Sequence, residues 1–236
     1  MYSNKYVTVY TVVMTLLVSV VLAVVVTGLR PVHESNEAVF KKRDVLRAIK
    51  DELGTDLASL TDAEVIDLFS NRIEQVVIDA NGQPVEGVSA ESVDMAKEEK
   101  KPAAERQYPV FIYRGDGATA YLLSVRGNGL WDKIWGTIAI KDDFNTIIGT
   151  SFGHVGETPG LGAEITDNPS FSRQFQGKQL FDKGQFVSVS VVKGGVRNPA
   201  HQVDAITGAT ITSNGVTDML RDGLAVYLPY LASIRN

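Results

Sequence analysis

Residues 6–29 carry no charged side chain; Thr8, Thr11, Thr15, Ser19 and Thr27 are the hydroxyl residues among aliphatic and aromatic ones. As an α-helix this run measures about 36 Å, enough to cross the roughly 30 Å hydrocarbon core of a bilayer. It is long for the apolar region of a cleaved signal peptide, and residues 24–29 offer no good small-x-small cleavage site. We therefore read residues 1–30 as an uncleaved single-pass anchor, with lipid around residues 6–29 and a cleaved signal as the competing reading. The chain has no cysteine, which excludes a lipoprotein anchor.

Charge does not settle the orientation. Lys5 precedes the span, whereas Arg30, Lys41, Lys42, Arg43, Arg47 and Lys50 follow it. By the positive-inside rule this bias favours a cytoplasmic C-terminal domain, although long domains translocate largely regardless of such charge.

Composition removes whole classes of function. With 236 residues, a net charge of -5 and 44% hydrophobic residues, the chain suits one anchored domain with a real core, and it offers no basic field for nucleic acid. Without cysteine there is no disulfide, iron–sulfur cluster, thiolate metal site or cysteine nucleophile, and His33, His154 and His201 are too scattered for a metal site. An electron-transfer role would need an organic cofactor.

The remaining pattern is mixed. An amphipathic helix is expected over residues 36–53, a second from the Thr61-x-x-Glu64 capping box, a strand over 73–78, and a turn at Asn81-Gly82 before another extended piece from Val85. Residues 90–107, rich in Lys and Glu, read as a solvated excursion. Strands at 108–114 and 118–125 flank Gly115-Asp116-Gly117, strands at 137–141 and 146–152 form a second hairpin, and 186–192 is a further strand. Arg173 and Phe175 fall in a short helix after Pro169, and a last helix from Ser213 puts Val216, Leu220, Leu224, Tyr227 and Leu228 on one face.

Three loops stand out. Gly127-Asn128-Gly129-Leu130-Trp131, followed by Trp135, lacks the third glycine and the βαβ setting of a dinucleotide fingerprint, so NADH is not expected there. Its tryptophans are either core aromatics or a platform for a flat ring. Gly153-His154-Val155-Gly156-Glu157-Thr158-Pro159-Gly160-Leu161-Gly162 is dense in glycine, either a rigid connection or a means of holding Glu157, Thr158 and Leu161 at a surface. In Asp204-Ala205-Ile206-Thr207-Gly208-Ala209-Thr210-Ile211-Thr212-Ser213, small residues leave the Thr210 hydroxyl open just before a helix start. An anion there would meet free backbone N–H groups. Lys193, ending the late strand, is either an anion contact or simply solvated.

Asp204, Thr207, Gly208, Ala209 and Thr210 fill the pattern that flavin transferases modify in FMN-binding domains, with Thr207 where serine is common. Together with the Gly-x-Gly-Leu-Trp stretch, Asp-x-Asn-Thr-Ile at Asp143 to Ile147, Glu-Thr-Pro-Gly-Leu-Gly at Glu157 to Gly162, and the anchor, the chain resembles the C subunit of Na⁺-translocating NADH:quinone oxidoreductases over almost its whole length. The G subunit of Rnf-type ferredoxin:NAD⁺ oxidoreductases is similar at the Glu-Thr-Pro-Gly-Leu-Gly and Thr-Gly-Ala-Thr motifs and is the alternative, while the Gly-Leu-Trp and Asn-Thr-Ile stretches favour the C subunit. A membrane-anchored FMN redox sensor and a purely structural assembly protein are rivals from other classes.

The resemblance implies FMN joined to Thr210 by a phosphoester. It implies Trp131 and Leu161 against the isoalloxazine, Leu130, Glu157, Thr158, Gly162 and Lys193 as neighbours, and Thr207, Gly208, Ala209, Ile211 and Thr212 around the phosphate and ribityl chain. It implies a relay subunit inactive alone, in a membrane complex of six subunits in the bacterial inner membrane. The FMN domain would be periplasmic, a flavin transferase would act in maturation, and partner subunits would handle NADH, quinone and Na⁺. The fold expected is α+β: a transmembrane helix over 1–30, a membrane-proximal mixed region over 31–107, and an FMN-binding domain over 108–236 with an antiparallel-rich sheet and packing helices.

Overall fold

The computed structural model describes residues 3–115 and 117–235. Asp116, at the centre of the expected Gly115-Asp116-Gly117 turn, lies outside the described residues. The chain forms two compact units, Met1–Phe40 and Lys41–Asn236.

Helix α1 (Asn4–Arg47) contains the apolar run and, among the described residues, is the one helix long and apolar enough to cross a membrane. The hydroxyls of Thr8, Thr11 and Ser19 donate to the carbonyls of Asn4, Val7 and Thr15 at 2.8–2.9 Å. These local bonds let polar side chains sit in hydrocarbon without an unpaired proton. The separate helix expected over 36–53 is not observed, because α1 continues through Pro31 to Arg47 and residues 48–53 form turns. Proline at this point removes one backbone donor, while an Arg30 Nε to Glu34 Oε1 bond of 2.8 Å braces the same turn. Beyond Arg47 the chain tightens, with the Ala48 and Ile49 N–H groups donating to Val45 and Leu46 only three residues back.

In the second unit, α2 (Asp62–Arg72) opens on the capping box read from the sequence, with the Thr61 N–H donating to Glu64 Oε2 at 2.7 Å. It leads into β1 (Ile73–Ile78), the first strand of a five-stranded antiparallel sheet. The others are β2 (Tyr108–Arg114), β3 (Thr119–Asn128), β4 (Lys133–Lys141) and β5 (Ile147–His154), lying side by side in chain order. The Lys/Glu-rich segment is the excursion between β1 and β2; it contains short helical turns, including α3 (Met95–Glu98). It is not wholly solvated. The Glu98 carboxylate is buried and accepts from Lys101 Nζ at 2.8 Å and the Gln107 N–H at 3.0 Å.

Strand alternation divides the apolar residues between two faces. Val110, Ile112, Leu123, Val125, Ile138 and Ile140 enter one core with α6 (Thr210–Ala225). Phe111, between two of them, meets Phe69 of α2 edge-on at 5.8 Å between centroids. On β5, Ser151 donates to the buried Asp44 carboxylate at 2.5 Å, and Gly149 leaves room for the Ala48 carbonyl. The Asp-x-Asn-Thr-Ile motif proves to be a structural turn. Asp143 accepts from the Asn145 N–H, the Thr146 N–H and the Thr146 hydroxyl at 2.6–2.8 Å, and Asn145 Oδ1 accepts from the N–H groups of Leu180 and Phe181.

Between β5 and α6 lie α4 (Glu164–Asp167), α5 (Pro169–Arg173), β6 (Phe181–Asp182), β7 (Gln185–Phe186), β8 (Ser190–Val192) and β9 (Gln202–Asp204). Phe175 follows α5 rather than lying in it and packs on Phe152 and Phe171. The single strand expected over 186–192 is broken at Ser188, whose φ of +60° turns the chain between β7 and β8. β8 and β9 pair in parallel, and the Val191 N–H donates to Thr217 Oγ1 of α6 at 2.9 Å. The final helix begins at Thr210 rather than Ser213, stops at Ala225 and gives way to α7 (Leu228–Ile234). Ser213 does not cap it; its buried hydroxyl accepts from the Ile206 N–H at 3.3 Å. Val216, Leu220, Leu224 and Tyr227 form the buried face as expected, and the Tyr227 hydroxyl lies 2.7 Å from the Ser124 carbonyl.

Candidate functional site

Residues 206–209 form a tight turn, with the Ala209 N–H donating to the Ile206 carbonyl at 3.1 Å and Gly208 at φ +81°. A side chain on Gly208 would be strained by this backbone and would press on Leu161 Cδ2. The turn delivers Thr210 to the first position of α6. The first helical bond is Ser213 N–H to Ala209 carbonyl at 2.9 Å, so the N–H groups of Thr210, Ile211 and Thr212 precede the helical ladder. Among the described residues, the exposed Thr210 hydroxyl makes no hydrogen bond to protein. An oxygen with no structural duty therefore sits at a helix terminus that favours anions.

The second loop meets the first through Leu161. Thr158-Pro159-Gly160-Leu161 is a turn with Pro at its second position and Gly160 at φ +74°, closed by the Leu161 N–H on the Thr158 carbonyl at 3.1 Å. Just before it, Glu157 folds inward and is only 4% exposed. Its Oε1 accepts from the Trp131 N–H at 2.9 Å and its Oε2 from the Thr212 hydroxyl at 2.6 Å. Burial opposes its ionisation, but the Thr212 hydroxyl and the N–H groups of Trp131, Asp132 and Leu130 outweigh that and hold the carboxyl below the usual glutamate range.

The third loop is the tip of the β3–β4 hairpin, closed by the Gly129 N–H on the Asp132 carbonyl at 2.8 Å. It is thus not a connection between two hairpins: β4 begins at Lys133, well before the expected Thr137, and the sheet is one meander. Trp131 is 68% exposed, with its indole N–H donating to Thr158 Oγ1 at 3.1 Å. Trp135 plays a different part and lies across Gly153 on the paired strand.

Comparison with known proteins fits this convergence of loops. The FMN-binding domain family matches residues 129–225. The C subunit of the Na(+)-translocating NADH-quinone reductase of Vibrio vulnificus (strain YJ016) is 33% identical over 244 residues, covering 94% of this chain and 92% of that protein. The protein of the same name from Pseudomonas aeruginosa is 33% identical over 260 residues, covering 97% and 98%. The chain belongs to the family of C subunits of Na⁺-translocating NADH-quinone reductases. The crystal structure of the C subunit from Parabacteroides distasonis superposes with a TM-score of 0.76 at 39% identity, covering 86% of this chain and 96% of that one.

In this member of the C-subunit family the residues singled out from sequence fall into distinct places. Thr207, Gly208, Thr210 and Ile211 are exposed along the turn and first helical residues, whereas Ala209 and Thr212 are buried beneath them. Leu130, Trp131 and Leu161 are large, exposed apolar side chains on the adjoining loops. Asp204 ends β9 with its backbone gripped by Gln174, which accepts from the Asp204 N–H at 2.8 Å. Lys193 is exposed just after β8 and has no hydrogen bond or ion pair to the Thr210 turn among the described residues. Gly162 is close-packed rather than open, since a Cβ there would lie 2.7 Å from Thr212 Oγ1 and collide with the Glu157 carboxylate.

Sequence reasoning missed Val155, which is 59% exposed on the same loop, and the reason for Gly129, whose missing side chain makes room for Glu157. Neither the exposure of Val155 nor the burial of Glu157, which was expected at a surface, carries a local sequence signal. These residues fit FMN. A free hydroxyl and N–H groups suit a phosphate, exposed Trp131 and Leu161 suit a flat ring, and no His/Cys/Asp/Glu group able to hold a metal ion occurs among the described residues.

Proposed function

We propose that this chain is the FMN electron-carrier subunit of a Na⁺-translocating NADH-quinone reductase and that its FMN is joined by a phosphoester to the Thr210 oxygen. The observation that carries the attachment is the unpartnered, exposed Thr210 hydroxyl at the first position of α6. When bound, FMN supplies one-electron chemistry between redox centres of partner subunits. The role of this chain's residues is to position it. The N–H groups at the start of α6 meet the phosphate, and Trp131 and Leu161 offer apolar surface to the ring. Lys193 is available as a further cation for the phosphate or a flavin oxygen.

The proposal extends to residues 108–236 as the FMN-binding part, to a periplasmic placement, to partner subunits handling NADH, quinone and Na⁺, and to maturation by a flavin transferase reading Asp204, Thr207, Gly208, Ala209 and Thr210. Outside the cytoplasm no flavin pool refills an empty site. A tether keeps the cofactor at an effective concentration of about a millimolar or more even where its other contacts are weak.

Coexpression with a flavin transferase tests the attachment. The wild-type band should fluoresce on a denaturing gel and carry the FMN mass increment, and Thr210→Ala should lose both. Flavin retained covalently by Thr210→Ala would refute it. Protease added to intact spheroplasts should digest residues after the span; protection would refute the periplasmic placement.

A further inference from the structure

The carboxylate of Glu157 hydrogen-bonds to both the hairpin tip carrying Trp131 and the helix carrying Thr210. It sits at the meeting point of loops that carry the exposed apolar residues Trp131, Leu161 and Val155. We propose that Glu157 is a positioning residue: a buried clamp that fastens the Trp131 hairpin tip to the first turn of α6 and so presents the indole to whatever Thr210 carries. The clamp itself is independent of any cofactor, while its purpose rests on the FMN reading above.

Several features of the fold are otherwise unexplained. An indole 68% exposed gains by collapsing onto nearby apolar surface, and Leu161, Val155 and Ile211 are exposed on the neighbouring loops. What opposes collapse is a pair of bonds at opposite ends of the residue, its N–H to Glu157 and its indole N–H to Thr158 Oγ1. The two bonds come from consecutive residues of one loop, so backbone position and ring orientation are referred to the same support.

The clamp also accounts for two glycines. A Cβ on Gly129 would strike the Glu157 carboxylate from the hairpin side, and one on Gly162 would strike the carboxylate and Thr212 Oγ1 from the helix side. Neither glycine has the positive φ that would demand it on backbone grounds. Their absent side chains make space for the carboxylate and its donors. The Glu157 N–H donates to His154 Nδ1 at 3.2 Å, which fixes the loop backbone as the side chain turns inward.

A merely stabilising glutamate and a local clamp differ in what they protect. The test uses the full-length chain in detergent micelles, carrying Thr210→Ala so that no flavin is attached, and labelled with ¹⁵N-tryptophan. With two tryptophans in the chain, each contributes one backbone and one indole signal. Trp135, within β4 and paired with Gly153, serves as the internal reference.

We expect Glu157→Ala to speed amide exchange at Trp131 by about tenfold or more, the scale of a lost bond to a charged acceptor, while Trp135 is unchanged. Glu157→Gln, which retains an acceptor oxygen and can pair with a rotated Thr212 hydroxyl, should restore most of the protection. Thr212→Val should loosen Trp131 in the same selective way, and Thr212→Ser should not, which keeps the test usable if Glu157→Ala does not fold. Unchanged Trp131 exchange in the alanine and valine variants, or an equal rise at Trp131 and Trp135, would overturn the clamp. In flavin-loaded protein with Thr210 intact, Glu157→Ala should alter flavin emission and Glu157→Gln should largely preserve it. Failure of the wild type to acquire flavin would sink the FMN reading and leave the exchange result standing.

Discussion

Gly215 offers a sharp test of how α6 is held, because two effects of known sign compete there. It lies inside α6, where replacing glycine by alanine stabilises an unconstrained helix by about 1 kcal/mol. A Cβ at this position, however, would run into the Asn128 carbonyl at the end of β3, with the carbonyl carbon 3.2 Å away. Backbone is on both sides, so no side-chain rotation relieves the contact. The helix and strand must part, which also loosens the fully buried Val216 and Leu220. Overpacking costs about 1–3 kcal/mol where side chains can adjust, and we take the upper end for a wall of backbone. The net effect of Gly215→Ala is then a loss of about 2 kcal/mol, or a fall of roughly 4–8 °C in Tm for a domain of this size. Gly223, further along the same helix, is the comparison: its Cβ would meet only Val125 side-chain atoms at 2.9 Å, apart from the Cα at 3.5 Å. Gly223→Ala should therefore cost less than Gly215→Ala. The assay is thermal unfolding of both variants in the same detergent, followed by circular dichroism. A Gly215→Ala Tm equal to or above wild type would refute the packing argument, since it would mean helix propensity outweighs the contact.

Other perturbations separate site from scaffold. Trp131→Ala should change Tm by less than about 2 °C, because an exposed ring contributes little burial, whereas flavin emission in the loaded protein should change; a large destabilisation would mean the ring is part of the core. Asp143→Ala removes the acceptor of three bonds in the β4–β5 turn and should cost about 1–3 kcal/mol by denaturant unfolding. Tyr227→Phe should cost about 1–2 kcal/mol by the same measurement, because the Ser124 carbonyl loses its hydroxyl partner. For pH, burial opposes ionisation of Glu98, Asp143 and Glu157, yet hydrogen bonds outweigh it and hold all three below their ordinary values. A depressed carboxyl contributes stability that is fully present above its unfolded pKa and is lost as pH falls through its folded one. Tm should be nearly flat from about pH 7 to 5 and fall below about pH 4. A Tm that rises as the pH is lowered from about 5 to about 3.5 would contradict the assignment.

The apolar first helix, the capped second helix and the hairpin strands were legible in the sequence because each is written in local terms. Absence of charge over residues 6–29, the Thr61-to-Glu64 spacing and strand alternation report on neighbours along the chain. Motif identity likewise located the loops that meet at the site. Errors arose where a local signal had more than one outcome. Residues 36–53 looked like a separate helix but residues 36–47 are the end of α1, Ser213 looked like a helix start but is buried one turn within α6, and 186–192 looked like one strand but turns at Ser188.

What the sequence determined by itself is therefore the kind of chain this is: a membrane-anchored α+β chain with no cysteine, resembling an FMN-binding family and carrying Thr210 among small residues near the start of its last long helix. Only the tertiary structure decided how the motifs divide the labour. Asp143 to Ile147 became a structural turn, Trp135 a cover for Gly153, and Glu157 a buried link between Trp131 and Thr212 rather than a surface group. The physical reason is that burial and hydrogen-bond partners are properties of long-range approach, here between residues 26 and 55 positions apart, and no local pattern encodes which carboxylate will be enclosed.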